Sequence, residues 1–358
     1  MYVILNYYFH FIYKMKIIPK NKYHYTVILL LLLIVTYCTY VDIFKLYENF
    51  NISYNNDKNV ELKDYENIPI NNNKIYENIE SLISENKNIK TDDNIIINII
   101  NGMSGMGSQL TIFIQTQYYF KEINEKIICL PHFSNNQYGF KYHDTKYNNS
   151  FFLYFKKKDE IVNLSTYKQY FVKADLIDGY PFVSFQIPIM SNDTNKKYID
   201  LFRKNYEFIK NDEIYQKIQN IKKENKLFGI HIRSIAQKKV HDNNYLSTSI
   251  ENRINNLKTK INTENNDYNI FITSDINPYI ELSKKIFDNI YYFDNITRIN
   301  SEDDSMPSID DKYTGYKLGS DILNECLALS LCDKIYISNS NIPFIVSIIN
   351  PEIVMEEY

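Results

Sequence analysis

The chain has 358 residues, 44% of them apolar, a formal charge of −3 and no tryptophan. That length accommodates two domains, and that apolar share supplies a buried core. The near-neutral charge offers no basic face for nucleic acid. Four cysteines are too few for a disulfide scaffold. The richness in Asn, Ile, Lys and Tyr reads as background composition, so a run such as Asn71-Asn72-Asn73 carries no signal of its own.

Residues 25–41, YTVILLLLLIVTYCTYV, contain no charge. With Tyr23 and His24 they approach the roughly 20 residues that cross a bilayer as a helix. Tyr23, Tyr25, Tyr37 and Tyr40 sit near the ends, where aromatic rings favour the interface. Lys14, Lys16, Lys20 and Lys22 precede the run and Asp42 follows it. The pattern predicts a signal-anchor helix over 23–41, a cytosolic tail over 1–22 and a lumenal remainder, in the Golgi or endoplasmic reticulum. A cleaved signal peptide is the competing reading, but the bulky residues after the leucines offer no small-residue cleavage site. Residues 42–92 predict a polar stalk, with one short helix near 79–83, because such a composition cannot hold a fixed fold alone.

From about residue 93 the pattern changes. NIIINIIN (94–101) predicts a buried strand. A glycine-rich turn follows at 102–107, then helical spacing over 108–121, then a strand at 126–130. This is the order of a βαβ unit. Residues 132–195 hold Tyr- and Phe-rich extended pieces, with His132 and His143 as ordinary surface or turn histidines, and 197–224 read as helical. A second alternating series begins with LFGIHIRS (227–234), a strand with polar residues at its end. It continues with a helix at 246–261, a strand at 268–273, a helix at 279–287 and a short strand at 290–293. A polar loop (296–315), a helix (318–331), a strand (334–337) and a helix (342–349) complete the chain. Cys326 and Cys332 fall in one helix, roughly 9 Å apart along its axis. A disulfide needs Cα atoms within about 7 Å, so both are expected as core thiols. The fold expected is α/β, with two facing Rossmann-like domains, 93–222 and 223–358.

Three segments could carry chemistry. In Gly105-Met106-Gly107-Ser108-Gln109-Leu110, glycines let the backbone turn tightly and approach a ligand. The GxGxxG fingerprint fails because residue 110 is Leu, so a ligand loop and a plain βα turn both fit. In Gly229-Ile230-His231-Ile232-Arg233, His231 and Arg233 share one face of a strand. At a strand's carboxyl end that face opens onto a ligand crevice, and the guanidinium fork suits a diphosphate. A structural ion pair with His231 packed beneath is the alternative. In Ser338-Asn339-Ser340-Asn341-Ile342-Pro343, hydroxyls, amides and a helix start converge, which suits phosphate or an ordinary helix cap.

Taken in order, these motifs resemble the GDP-fucose-dependent fucosyltransferases of the GT-B fold. The nearest resemblance is to the α1,2-fucosyltransferase family (glycosyltransferase family 11-like), and the protein O-fucosyltransferases are more distant. GMGSQL is similar to that group's G-x-G-N-Q-[LM] turn, with Ser108 for Asn. HIRS (231–234) is similar to H-x-R-R, with Ser234 for the second Arg. Phe271-Ile272-Thr273-Ser274-Asp275 matches an F-x-S-D strand end, and Asp321 to Cys332 with Asn339-Ser340 resembles the late helix and N-S strand end. The aromatic pair after N-S is replaced by Asn341-Ile342-Pro343-Phe344.

The resemblance implies a glycosyltransferase that transfers fucose from GDP-fucose to a glycan or glycoprotein hydroxyl, with inversion and without a metal or other cofactor; the run at 23–41 would anchor it in the membrane. It implies Arg233 as catalytic, and His231, Arg233, Ser274, Asp275, Ser338, Asn339 and Ser340 as donor-binding. Gly105, Gly107, Ser108 and Gln109 would form the N-terminal glycine turn. His231, Asp144 and Asp242 are candidates for the base. A metal-dependent GT-A enzyme would need a D-x-D-like pair at a strand end. Glu302-Asp303-Asp304 and Asp310-Asp311 lie instead in a polar loop with no apolar strand before them, and read as solvated. A catalytically inactive glycan-binding protein is the other alternative, favoured by Ser234. Sequons at Asn51, Asn148, Asn163, Asn192 and Asn295 agree with a lumenal domain.

Overall fold

Six-residue and seven-residue runs of β-branched and aromatic side chains build two parallel sheets in the computed structural model. It describes residues 61–70, 73–100, 105–133, 146–173, 177, 189–223, 225–233, 250–264, 267–300, 315–338 and 340–358. In the first sheet, β1 (Ile75–Tyr76), β2 (Ile95–Ile100), β3 (Ile128–His132) and β5 (Lys168–Lys173) pair in the order β1-β5-β2-β3. All these pairings are parallel. β2 is buried along its whole length, as its unbroken apolar run requires of a strand covered on both faces. Helix α2 (Met106–Ile123) leads from β2 to β3.

The second sheet contains β7 (Lys226–Ile232), β8 (Tyr268–Ser274), β9 (Ile290–Tyr291), β10 (Lys334–Ile337) and β11 (Met355–Glu357). Their order is β11-β10-β7-β8-β9, again all parallel. Helices α5 (Ile250–Glu264) and α6 (Asn277–Ile286) carry the chain from β7 outward to β9. Helix α7 (Gly315–Ser330) brings it back to β10 on the other side of β7, and α8 (Ile342–Ile349) continues to β11. The direction of winding therefore reverses between β7 and β10. In open parallel sheets such a switch point leaves a crevice beyond the carboxyl ends of the strands.

The aromatic region between the sheets forms a small antiparallel pair, β4 (Phe155–Lys157) with β6 (Tyr206–Phe208). Phe151, Phe155, Phe202 and Tyr206 pack edge-on or stacked around it. The helix expected over 197–224 is two helices, α3 (Asp193–Asn205) and α4 (Asp212–Lys222), separated by β6. Asn192 and Asn211 accept hydrogen bonds from the first backbone N–H groups of these helices. The asparagines set aside as compositional background thus act as helix caps.

Residues 61–92 correct the stalk expected over 42–92. β1 adds to the first sheet, and Tyr65, Ile68, α1 (Ile79–Glu85) with Ile79 and Leu82, and Ile89 are buried. The composition argument holds for an isolated segment; this one buries its few apolar residues against a sheet already formed. His132, expected at the surface, is buried, and its Nε2 lies 2.9 Å from the carbonyl of Ile68. From Lys58 on the chain forms one compact unit. The expected span at 23–41 lies outside the described residues, among which no helix is long and apolar enough to cross a membrane.

Helix α8 joins the two sheet systems. Its sequence, IPFIVSII, is apolar nearly all round, and it packs on α7 as well as on α2 and α3. Arg203 of α3 donates to the Ile348 and Ile349 carbonyls at its C-terminal end. Tyr154 stacks on Tyr316 at the start of α7, with ring centroids 5.3 Å apart.

Candidate donor cleft

A cavity of about 230 Å³ opens at the β7–β10 switch point. Its wall collects Gly105, Gly107 and Ser108 from the start of α2, Arg233 from the end of β7, and Asp275 from the end of β8. Asp321 and Glu325 of α7 and Asn341 at the start of α8 complete it. The parallel register puts β7 and β10 level at His231 and Ile337, so Arg233 emerges just past the sheet edge.

Arg233 is half-buried and has no hydrogen-bond or ion-pair partner among the described residues. Burial pushes its pKa down, and the nearby Asp275 carboxylate opposes that shift. His231 also lines the cleft, with Nδ1 3.0 Å from the Thr273 hydroxyl. Ser274 and Asp275 border the cleft, and the Ser274 hydroxyl accepts from the Ile276 N–H.

Other expected residues lie elsewhere. Ser338 is fully buried and Ser340 nearly so, and neither lines the cavity. The Ser340 hydroxyl accepts from the Ile342 N–H, so it is used in turning the chain into α8. Asn341 and Ile342, one step further along, reach the cleft instead. Gln109 is buried within the first turn of α2, because successive helical residues rotate by about 100° and carry it away from the opening. Asn339, Ser234, Asp144, Asp242 and the acidic loop at 302–304 and 310–311 lie outside the described residues. Cys326 and Cys332 are free, buried thiols.

Sequence reasoning named Asp321 only as the start of the late-helix resemblance, gave it no site role, and did not name Glu325. Asp321 and Glu325 are four residues apart, so both face the cleft from one side of the helix. Asp321 is 1% exposed. Its Oδ2 accepts from Lys317 at 2.7 Å and from the Thr297 N–H at 3.2 Å, while Oδ1 has no partner among the described residues. Burial raises its pKa against the pull of Lys317. Glu325 pairs at 2.7 Å with Arg298, which also donates to the carbonyls of Ser274 and Phe293. Burial raises Glu325 to about 7; Arg298 opposes the rise, and Asp321 and Asp275 add to it. The available signal was an acidic pair at i, i+4 within a helix whose other residues are mostly apolar or small. Among the described residues no group of three His, Cys, Asp or Glu side chains is arranged to hold a metal ion.

No family model matches the sequence, and no curated protein matches it. Among solved structures, it is similar to NodZ α-1,6-fucosyltransferase soaked with GDP-fucose, at 10% identity over 73% of this chain and 94% of that one, with a TM-score of 0.40. It is also similar to fucosyltransferase NodZ from Bradyrhizobium, at 11% identity over 72% and 92% of the two chains, with a TM-score of 0.40. A mutant of Arabidopsis thaliana FUT1 in complex with GDP is similar at 10% identity over 76% and 74%, with a TM-score of 0.37. Likenesses this low leave the function to be argued from the cleft itself.

Proposed function

We propose that the chain is a glycosyltransferase that binds GDP-fucose in this cleft and transfers fucose to a glycan or glycoprotein hydroxyl. The observation that carries the reading is Arg233: a half-buried guanidinium with no partner among the described residues, at a switch point, beside the start of α2. A charge without a partner there calls for an anionic ligand, and a helix start favours the same sign. The guanidinium fork matches a diphosphate bidentately.

Asp321 supports guanine as the base. An ionised carboxylate only accepts hydrogen bonds, and its orphan Oδ1 calls for a ligand N–H. Guanine carries adjacent N1–H and N2–H donors. Uracil offers one N–H between two carbonyl oxygens, which a carboxylate repels.

In the proposed reaction an acceptor oxygen bonds to the anomeric carbon as the bond to the diphosphate oxygen breaks, with inversion. The electron pair leaves with GDP, and the hydroxyl proton passes to a base. Charge grows on the departing diphosphate, where Arg233 and the N–H groups opening α2 would stabilise it as preorganised donors. Those donors take the part a divalent cation would otherwise play, so transfer is proposed to be metal-independent. The uncharged run at 23–41 and the lysines before it support a type II membrane anchor with the catalytic part in the Golgi or endoplasmic reticulum lumen.

The test is titration of the full chain with GDP, UDP and CDP by calorimetry in EDTA, followed by turnover with GDP-fucose. GDP should bind at least about tenfold more tightly than UDP, as one well-made charged hydrogen bond would give. Absence of GDP binding, or binding only with added Mn²⁺, would overturn the reading.

A further inference from the structure

Helix α8 begins at Asn341, whose side chain does not cap its own helix. The Ser340 hydroxyl has taken that place by accepting from the Ile342 N–H. The amide of Asn341 is thereby released, and its Nδ2 donates across the cleft wall to the Ser108 hydroxyl in the first turn of α2. Ser108 and Asn341 come from opposite ends of the fold, and both line the donor cleft.

The residue beside this bridge is a glycine for a steric reason. A Cβ on Gly107 would stand 2.4 Å from the Asn341 Cβ and 2.9 Å from the Asn341 carbonyl oxygen. Real side chains do not approach a backbone so closely, so the two helix starts meet without any side chain between them. At its other end α8 is tied to α3 through Arg203. The helix is held at both ends to elements that support the first sheet, although its own strands belong to the second.

We propose that Asn341 is a positioning residue. Its bridge to Ser108, seated over Gly107, sets the spacing of the two helix starts, so that one diphosphate meets the N–H groups opening α2 from one half of the fold and Arg233 from the other. The inference rests on the proposed GDP-sugar site and adds to it the element that determines its phosphate geometry. In the proposed placement the bridge lies at the helix starts assigned to the diphosphate, while Asp321 is assigned to the base. Loss of the bridge therefore weakens diphosphate binding selectively, through misplacement of N–H donors whose strength falls steeply with distance and angle.

The experiment is calorimetric titration of the full chain with GDP and, separately, with guanosine, on wild type, Asn341→Ala, Ser108→Ala and the double variant. A thermal melt accompanies each protein. Each single variant should lose about fivefold to tenfold in GDP affinity, the worth of one neutral hydrogen bond. The double variant should lose no more than the larger single loss, because both remove the same contact. Guanosine affinity should be unchanged in all of them. Gly107→Ala, which wedges the helix starts apart, should lose GDP affinity by at least as much and keep guanosine. Equal losses for GDP and guanosine, wild-type GDP affinity in both single variants, or additive losses in the double variant would each overturn the positioning role while leaving the donor reading standing. Failure of the wild type to bind GDP would overturn the donor reading, and this inference with it.

Discussion

Replacing Arg233 by alanine should remove donor chemistry and leave the fold intact. The guanidinium is half-buried and bonds to nothing among the described residues, so its removal breaks no contact in the core. Burial already lowers its pKa in the free protein, so part of the desolvation cost of binding has been met before a ligand arrives. A charged hydrogen bond to phosphate contributes roughly 1.5–3 kcal/mol. A bidentate pair, discounted for incomplete geometry in the ground state, comes to about 3 kcal/mol, or about two orders of magnitude in kcat/KM. The loss should fall more on kcat than on donor affinity, because the diphosphate gains charge as it departs. Arg233→Lys should recover little, since a point charge cannot reproduce the two-pronged contact. Steady-state kinetics with GDP-fucose, calorimetry with GDP and a thermal melt together read all three quantities. A folded Arg233→Ala protein with near-normal turnover would refute the assignment of this cleft as the donor site.

Glu325 should make stability fall as pH rises. Its folded pKa of about 7 stands above the ordinary carboxylate value of 4.5. Its contribution is therefore complete below about pH 4.5 and is lost as pH rises through about 7, on the order of 3 kcal/mol in all. Denaturant midpoints between pH 5 and 8 should decline less steeply in Glu325→Gln than in wild type, and parallel slopes would contradict the reasoning. A chain beginning at residue 93 should be much less stable than one beginning at Lys58. It lacks Tyr65, Ile68, Ile79, Leu82 and Ile89, all buried, and burial of each such side chain contributes roughly 1.5–3 kcal/mol. Equal melting temperatures for the two chains would show that the segment adds nothing. For the proposed anchor, protease added to sealed microsomes should spare the part of the chain beyond residue 42, and its digestion without detergent would reverse the orientation.

Much of the fold was legible along the chain because strands and helices report their own periodicity. The isoleucine run of β2, the helix beginning at Met106 and the strand ending at Ile232 all lie where local pattern predicts. Arg233 could be singled out because a strand's alternation and its carboxyl end depend on few residues. Local composition could not settle the fate of residues 61–92. Their apolar side chains are too few to fold alone and sufficient only against a sheet built by later segments. The break between α3 and α4 likewise depends on β6 finding β4 as a partner nearly fifty residues earlier.

The site divides in the same way. Local pattern predicts a glycine turn and a cationic strand end past the carboxyl ends of parallel strands. The packing of distant segments brings Asp321 and Glu325 to one cavity, turns Ser338 and Ser340 away from it, and lets Asn341 reach Ser108. Strand and helix periods fix which residues share a face. Which face meets a cleft is set by the packing of α7 and α8 between two sheets, and that packing is decided by contacts far apart in the chain.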